Sequence, residues 1–65
     1  MFGNLKAEMG RKELLKKDVA KSLGITTKAL DNKLNGQTRF YLDEALKLCQ
    51  ILGNASVEYL FDKEA

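Results

Sequence analysis

The 65-residue chain has no histidine, no proline, no tryptophan and a single cysteine, Cys49. Without histidine it lacks the one side chain whose ordinary pKa lies close to neutrality, which weakens any reading that needs a general base. One cysteine builds neither an intramolecular disulfide nor a cysteine/histidine zinc site. Ser22 and Ser56 have no evident partner that would activate them. Cys49 sits inside Leu46-Lys47-Leu48-Cys49-Gln50-Ile51-Leu52, where a buried thiol serves as a small apolar residue. The chain therefore reads as a non-enzyme with no cofactor and no small-molecule substrate. No apolar run approaches the ~20 residues that a membrane span needs. The opening Met1-Phe2-Gly3-Asn4-Leu5-Lys6 lacks the apolar stretch and small-residue cleavage site of a secretory signal. A cytoplasmic protein without membrane association is expected. A chain this short has material for one domain, residues 1–65, which must stand on packing alone.

What is present is unevenly charged. Residues 1–39 carry nine basic side chains (Lys6, Arg11, Lys12, Lys16, Lys17, Lys21, Lys28, Lys33 and Arg39) against four acidic ones, a net of +5. Residues 40–65 carry Lys47 and Lys63 against five acids, a net of −3. The whole is only +2, but the asymmetry suggests one side that faces a polyanion.

Glycines punctuate the helical periodicity and divide the chain into about five short helices. Phe2, Leu5 and Met9 recur at helical spacing, predicting a first helix over about 2–12. A second starts at Leu14, shares a face among Val19, Ala20 and Leu23, and ends at Gly24. Thr26 is an N-cap for a third, over about 26–35, in which Leu30 and Leu34 face inward. Thr27, Lys28, Asp31 and Asn32 share its polar face. Residues 37–41 form a loop; Leu42-Asp43-Glu44-Ala45-Leu46 opens a fourth helix that stops at Gly53 or Asn54. Ser56 caps a last, short helix showing Val57, Leu60 and Phe61.

Two short helices joined by a tight turn containing glycine, each with an inward Leu or Ile on its flank, describe a helix-turn-helix at about residues 16–35. Ala20 is small where the helices cross, Gly24 permits the turn, and Ile25, Leu30, Val19 and Leu23 fill the angle. A plain helical hairpin does not account for a short polar face flanked by Lys16, Lys17, Lys33 and Arg39, so DNA binding is the favoured reading.

Val19-Ala20-Lys21-Ser22-Leu23-Gly24-Ile25-Thr26, then Leu30, then Lys33-Leu34-Asn35-Gly36 and Leu42-Asp43-Glu44-Ala45-Leu46, resemble the phage repressor/Cro family, the lambda-repressor-like or XRE-type helix-turn-helix. The resemblance implies a compact, all-α, five-helix domain. It also implies a transcription regulator that inserts its third helix in the major groove and binds operator-like inverted repeats of double-stranded DNA as a homodimer, in a bacterial or phage-infected cell. By position it assigns DNA contacts to Lys16, Thr27, Lys28 and Asn32, and to Thr38 and Arg39 in the loop; Thr26, at the start of the third helix, is a further candidate contact. Leu15 and Tyr41 stand where a Ser or Thr usually caps, Glu13 replaces a common Gly, Lys16 replaces a frequent Gln, and Asn54 looks like a one-residue insertion.

Chemistry gives each contact a role. Lys28 matches guanine O6 and N7, and the Asn32 amide matches adenine N6 and N7. Thr27 reaches phosphate or sets its methyl against thymine, while Asp31 either accepts from cytosine N4 or repels phosphate. Lys16 is a base reader or a phosphate clamp, and Lys17 and Lys33 are phosphate anchors or solvated helix charges. Arg39 suits a narrow minor groove. One small module offers little contact area, so dimerisation is expected, through Val57, Tyr59, Leu60 and Phe61. The competing expectation is a protein-interaction module, an antitoxin or adaptor that keeps the scaffold and presents its last helix to another protein.

Overall fold

Three of the helices end in the same way, and that ending fixes the architecture. The computed structural model describes residues 1–62 and contains α1 (Gly3–Arg11), α2 (Lys16–Leu23), α3 (Thr27–Leu34), α4 (Leu42–Ile51) and α5 (Val57–Leu60), with no strand among the described residues. After α2, Gly24 takes φ +73°. The N–H of Ile25 then returns to the Ala20 carbonyl at 3.0 Å and that of Gly24 to Lys21 at 3.1 Å. This double return satisfies carbonyls that a helix end leaves without partners. Gly36 does the same for α3, with Gln37 N–H on Asn32 at 2.9 Å. After α1 the left-handed residue is Glu13, at φ +55°, with Leu14 N–H on Met9 at 2.9 Å. The position where a glycine was missed in the sequence is thus one where the backbone asks for it. The turn also delays α2, which begins at Lys16 rather than at Leu14.

The α4 end differs by one residue. Gly53 and Asn54 are both left-handed, at φ +75° and +62°, and the chain returns through Ala55 N–H on Cys49 at 3.2 Å. Asn54, suspected as an insertion, is accommodated by this second left-handed residue; asparagine tolerates that conformation better than most side chains.

The helix starts are less uniform. Thr26 Oγ1 accepts the Ala29 N–H at 3.0 Å and Ser56 Oγ accepts that of Tyr59 at 3.1 Å. Leu15 offers α2 no side-chain cap. At Tyr41 the role passes to Glu44, whose carboxylate accepts the Tyr41 N–H at 3.0 Å.

All five helices or their caps contribute to one apolar cluster, centred on the fully buried Leu5, Leu30, Leu48, Leu60 and Val19. Phe2, Phe40 and Phe61 close its open end as edge-to-face pairs with centroids 5.0–5.9 Å apart, a geometry that places the positive edge of one ring on the negative face of the next. The helix α5 is tied to α1 by polar contacts: Asn4 donates to the Tyr59 carbonyl at 2.9 Å, and the Tyr59 hydroxyl to Glu8 at 3.0 Å.

Candidate nucleic-acid interface

The helix α3 is held by its inner face and free on its outer one. Leu30 and Leu34 pack with Val19 and Ala20 of α2, all buried, while Thr27 and Lys28 are exposed and Asp31 and Asn32 half-buried. The tight turn at Gly24 and Ile25 holds the two helices at a fixed angle, so the start of α2 lies beside the middle of α3. There Lys16 Nζ meets Asp31 Oδ1 at 2.7 Å, with both side chains open to solvent. Lys17 of α2, Thr38 and Arg39 are also exposed. Thr26 is exposed too, but its hydroxyl oxygen is engaged as the α3 cap.

Lys33 is placed otherwise than expected. Only 7% exposed, it pairs with Glu44 at 3.1 Å, donates to the Arg39 carbonyl at 2.7 Å, and lies over the Tyr41 ring at 4.8 Å. A lysine committed this fully to its own fold is not a phosphate anchor. It follows Asn32 on the helix by one residue, about 100° round the axis, which turns it from the polar face into the junction with α4. Its work is to hold the loop: the ammonium fixes the Arg39 carbonyl while leaving the Arg39 side chain outside.

The residues expected to mediate self-association are also placed otherwise than expected. Leu60 is fully buried in the core, and Phe61 is half-buried in the aromatic trio. The Tyr59 hydroxyl is spent on Glu8, and that hydrogen bond, accepted by a carboxylate, pushes the phenol above its ordinary pKa near 10. Of the four, Val57 is an exposed apolar side chain free of such ties. Its companions lie in α4, Leu42 at 71% and Leu46 at 48% exposure, with Tyr41 before them. The signal was in the spacing. Ala45, Leu48, Cys49 and Leu52 complete one buried stripe, so a further pair at i and i+4 had to lie on its shoulder. An open depression of about 560 Å³ is lined by Leu42, Ala45 and Val57 together with Thr38, Arg39 and Phe40.

Cys49 is buried, and that burial pushes its thiol pKa up, which keeps it protonated. It packs as the apolar residue its neighbours suggest.

A family profile described as the Cro/C1-type HTH DNA-binding domain matches residues 4–54. The chain belongs to that family. The match spans α1 to α4 and the turn after α4, so it takes in the Gly24 corner, the outer face of α3 and the 37–41 loop, and stops short of α5. Membership makes this a DNA-binding domain and agrees with the all-helical architecture. Neither the curated proteins nor the solved structures yield a match to the chain. No helix among the described residues is long and apolar enough to cross a membrane.

Proposed function

We propose that this Cro/C1-type protein is a sequence-specific transcription regulator of the cytoplasm that works without cofactor or catalysis, inserting α3 into the major groove. The observation that carries the reading is the outer face of α3, which presents the exposed Thr27 and Lys28 and the half-buried Asn32 on a helix pinned from behind by Leu30 and Leu34. Base discrimination needs side chains held in fixed register, and a recognition helix backed by a packed core supplies that. Lys28 is the guanine reader and Asn32 the adenine reader. Lys17 and Arg39 supply sequence-independent attraction to the backbone, Arg39 from a loop whose course Lys33 holds. Thr26, Thr27 and Thr38 offer hydroxyl and backbone N–H groups to phosphate.

The protein acts as a homodimer on an inverted repeat. Its Cα envelope is 24 Å in its longest dimension. Side chains bring that to about 31 Å, close to the ~34 Å between successive major grooves on one side of the duplex. Two copies docked on adjacent half-sites with their long axes along the duplex would therefore be separated by only about 3 Å, a gap that a small tilt of each copy closes. Leu42, Leu46 and Val57 give them an apolar surface to share.

Selection from a random duplex library near physiological salt tests both parts. An enriched inverted repeat with half-sites one helical turn apart is the expected result. Asn32→Ala should then relax the adenine position by about 1–3 kcal/mol and leave the others intact. A folded protein that enriches nothing would refute the sequence-reading role and turn attention to a protein-interaction module.

A further inference from the structure

The recognition face carries one carboxylate, and a bare carboxylate opposes approach to a polyanion. Asp31 is not bare. Its Oδ1 holds the Lys16 ammonium at 2.7 Å, and of the three ion pairs seen among the described residues this is the one that joins α2 to α3. Of the two lysines of α3, Lys33 is withdrawn to Glu44 and Lys28 is exposed. The side chains of the Lys16–Asp31 pair remain 55% and 39% exposed, so both ends are open to a ligand. The ammonium has three N–H donors and spends one on Asp31; the carboxylate keeps its second oxygen and further lone pairs. The pair is thus a neutral unit that sets a donor beside an acceptor.

A base pair presents the same pattern to the major groove, reversed. In G·C the guanine O6 acceptor and the cytosine N4 donor are hydrogen-bonded to each other, about 2.9 Å apart. In A·T the adenine N6 donor and thymine O4 acceptor stand likewise. Lys16–Asp31 is spaced to meet such an edge with both groups at once. We propose that Lys16 and Asp31 together read the polarity of one base pair in each half-site, the keto base facing Lys16 and the amino base facing Asp31, with G·C preferred. Reversing the pair would set carboxylate against keto oxygen and ammonium against amino group, two repulsions for two attractions. Guanine is preferred over thymine on the Lys16 side because N7 adds a second acceptor beside O6, where thymine presents a methyl. Asp31 is then a specificity-determining residue whose charge is tolerated because Lys16 travels with it.

This rests on the sequence-reading role proposed above, and the test separates the two. Fluorescence anisotropy would follow wild type, Asp31→Asn, Lys16→Met and the double variant on the duplex that selection enriches most, and on duplexes with each base pair reversed in turn. Circular dichroism of each variant verifies folding, which substitution of an exposed pair should leave intact. One position per half-site should cost wild type about tenfold or more on reversal, and both single variants about twofold or less. The variants should keep their discrimination elsewhere. If Asp31→Asn tightens binding to every duplex alike with all preferences kept, Asp31 is only a repulsive charge and the proposal fails. It fails too if the two variants lose discrimination at different positions. Wild type without preference for any duplex would overturn the sequence-reading role and this inference together.

Discussion

Lys33→Met keeps the aliphatic stem of a buried lysine and removes only its ammonium, which isolates what that charge does. In the native protein the ammonium answers the Glu44 carboxylate at 3.1 Å and the Arg39 carbonyl at 2.7 Å, and both Lys33 and Glu44 are less than a tenth exposed. After the substitution Glu44 is left buried with the Tyr41 N–H as its remaining partner. Breaking a buried pair from one side costs about 3–5 kcal/mol, because the surviving charge has been stripped of water without compensation. A core of this size rarely supplies more than about 3–5 kcal/mol of net stability. The two figures are equal, so Lys33→Met should have almost no net stability and be about half unfolded at 25 °C. Lys33→Met combined with Glu44→Leu should behave differently. No buried charge is left, and Arg39 and Tyr41 are exposed residues whose freed carbonyl and N–H can turn to water. The double variant should refold and melt within about 1–2 kcal/mol of wild type, an estimate from two part-buried hydrogen bonds lost. Thermal and urea unfolding followed by circular dichroism measures all three proteins. A single variant within 1 kcal/mol of wild type, or a double variant no more stable than the single, would show that this pair does not hold the α3–α4 junction.

Two other predictions follow from backbone and surface. Glu13→Gly should stabilise the protein by about 1 kcal/mol, because a side chain in the left-handed region costs that much or more. In a domain this small the gain appears as a rise of about 4–8 °C in Tm; no rise would mean that Glu13 has offsetting contacts. Leu46→Asp and Leu60→Ala should separate assembly from folding. The first, on an exposed shoulder, should abolish dimers in sedimentation equilibrium with Tm of the monomer little changed. The second, in the core, should cost about 2–5 kcal/mol of stability. Dimers that survive Leu46→Asp would move the contact away from α4.

The helices, the inward positions and the turn of the helix-turn-helix were legible because each rests on a local rule. Val19, Ala20, Leu30 and Leu34 repeat at helical spacing, Gly24 marks the left-handed residue, and Thr26 caps. Two kinds of information were not local. The first is the partner of a charge. Lys33 and Glu44 are eleven residues apart, and nothing in the periodicity of α3 separates a lysine that faces DNA from one that faces α4; that depends on how the 37–41 loop turns. The Lys16–Asp31 contact has the same character, since it exists only because the corner at Gly24 brings the start of α2 to the middle of α3. The second is which apolar residues are left over. Val57, Leu60 and Phe61 on a one-turn helix looked like a surplus, but a short helix at the chain's end closes the core that the first four leave open, and Leu60 and Phe61 are consumed in doing so. The surplus lies in α4, where the core takes one stripe and leaves Leu42 and Leu46 beside it. Sequence spacing therefore locates α3 well and its electrostatic partners poorly. A base preference set by the proposed Lys16–Asp31 pair should accordingly depend as much on Lys16, in α2, as on the residues of α3.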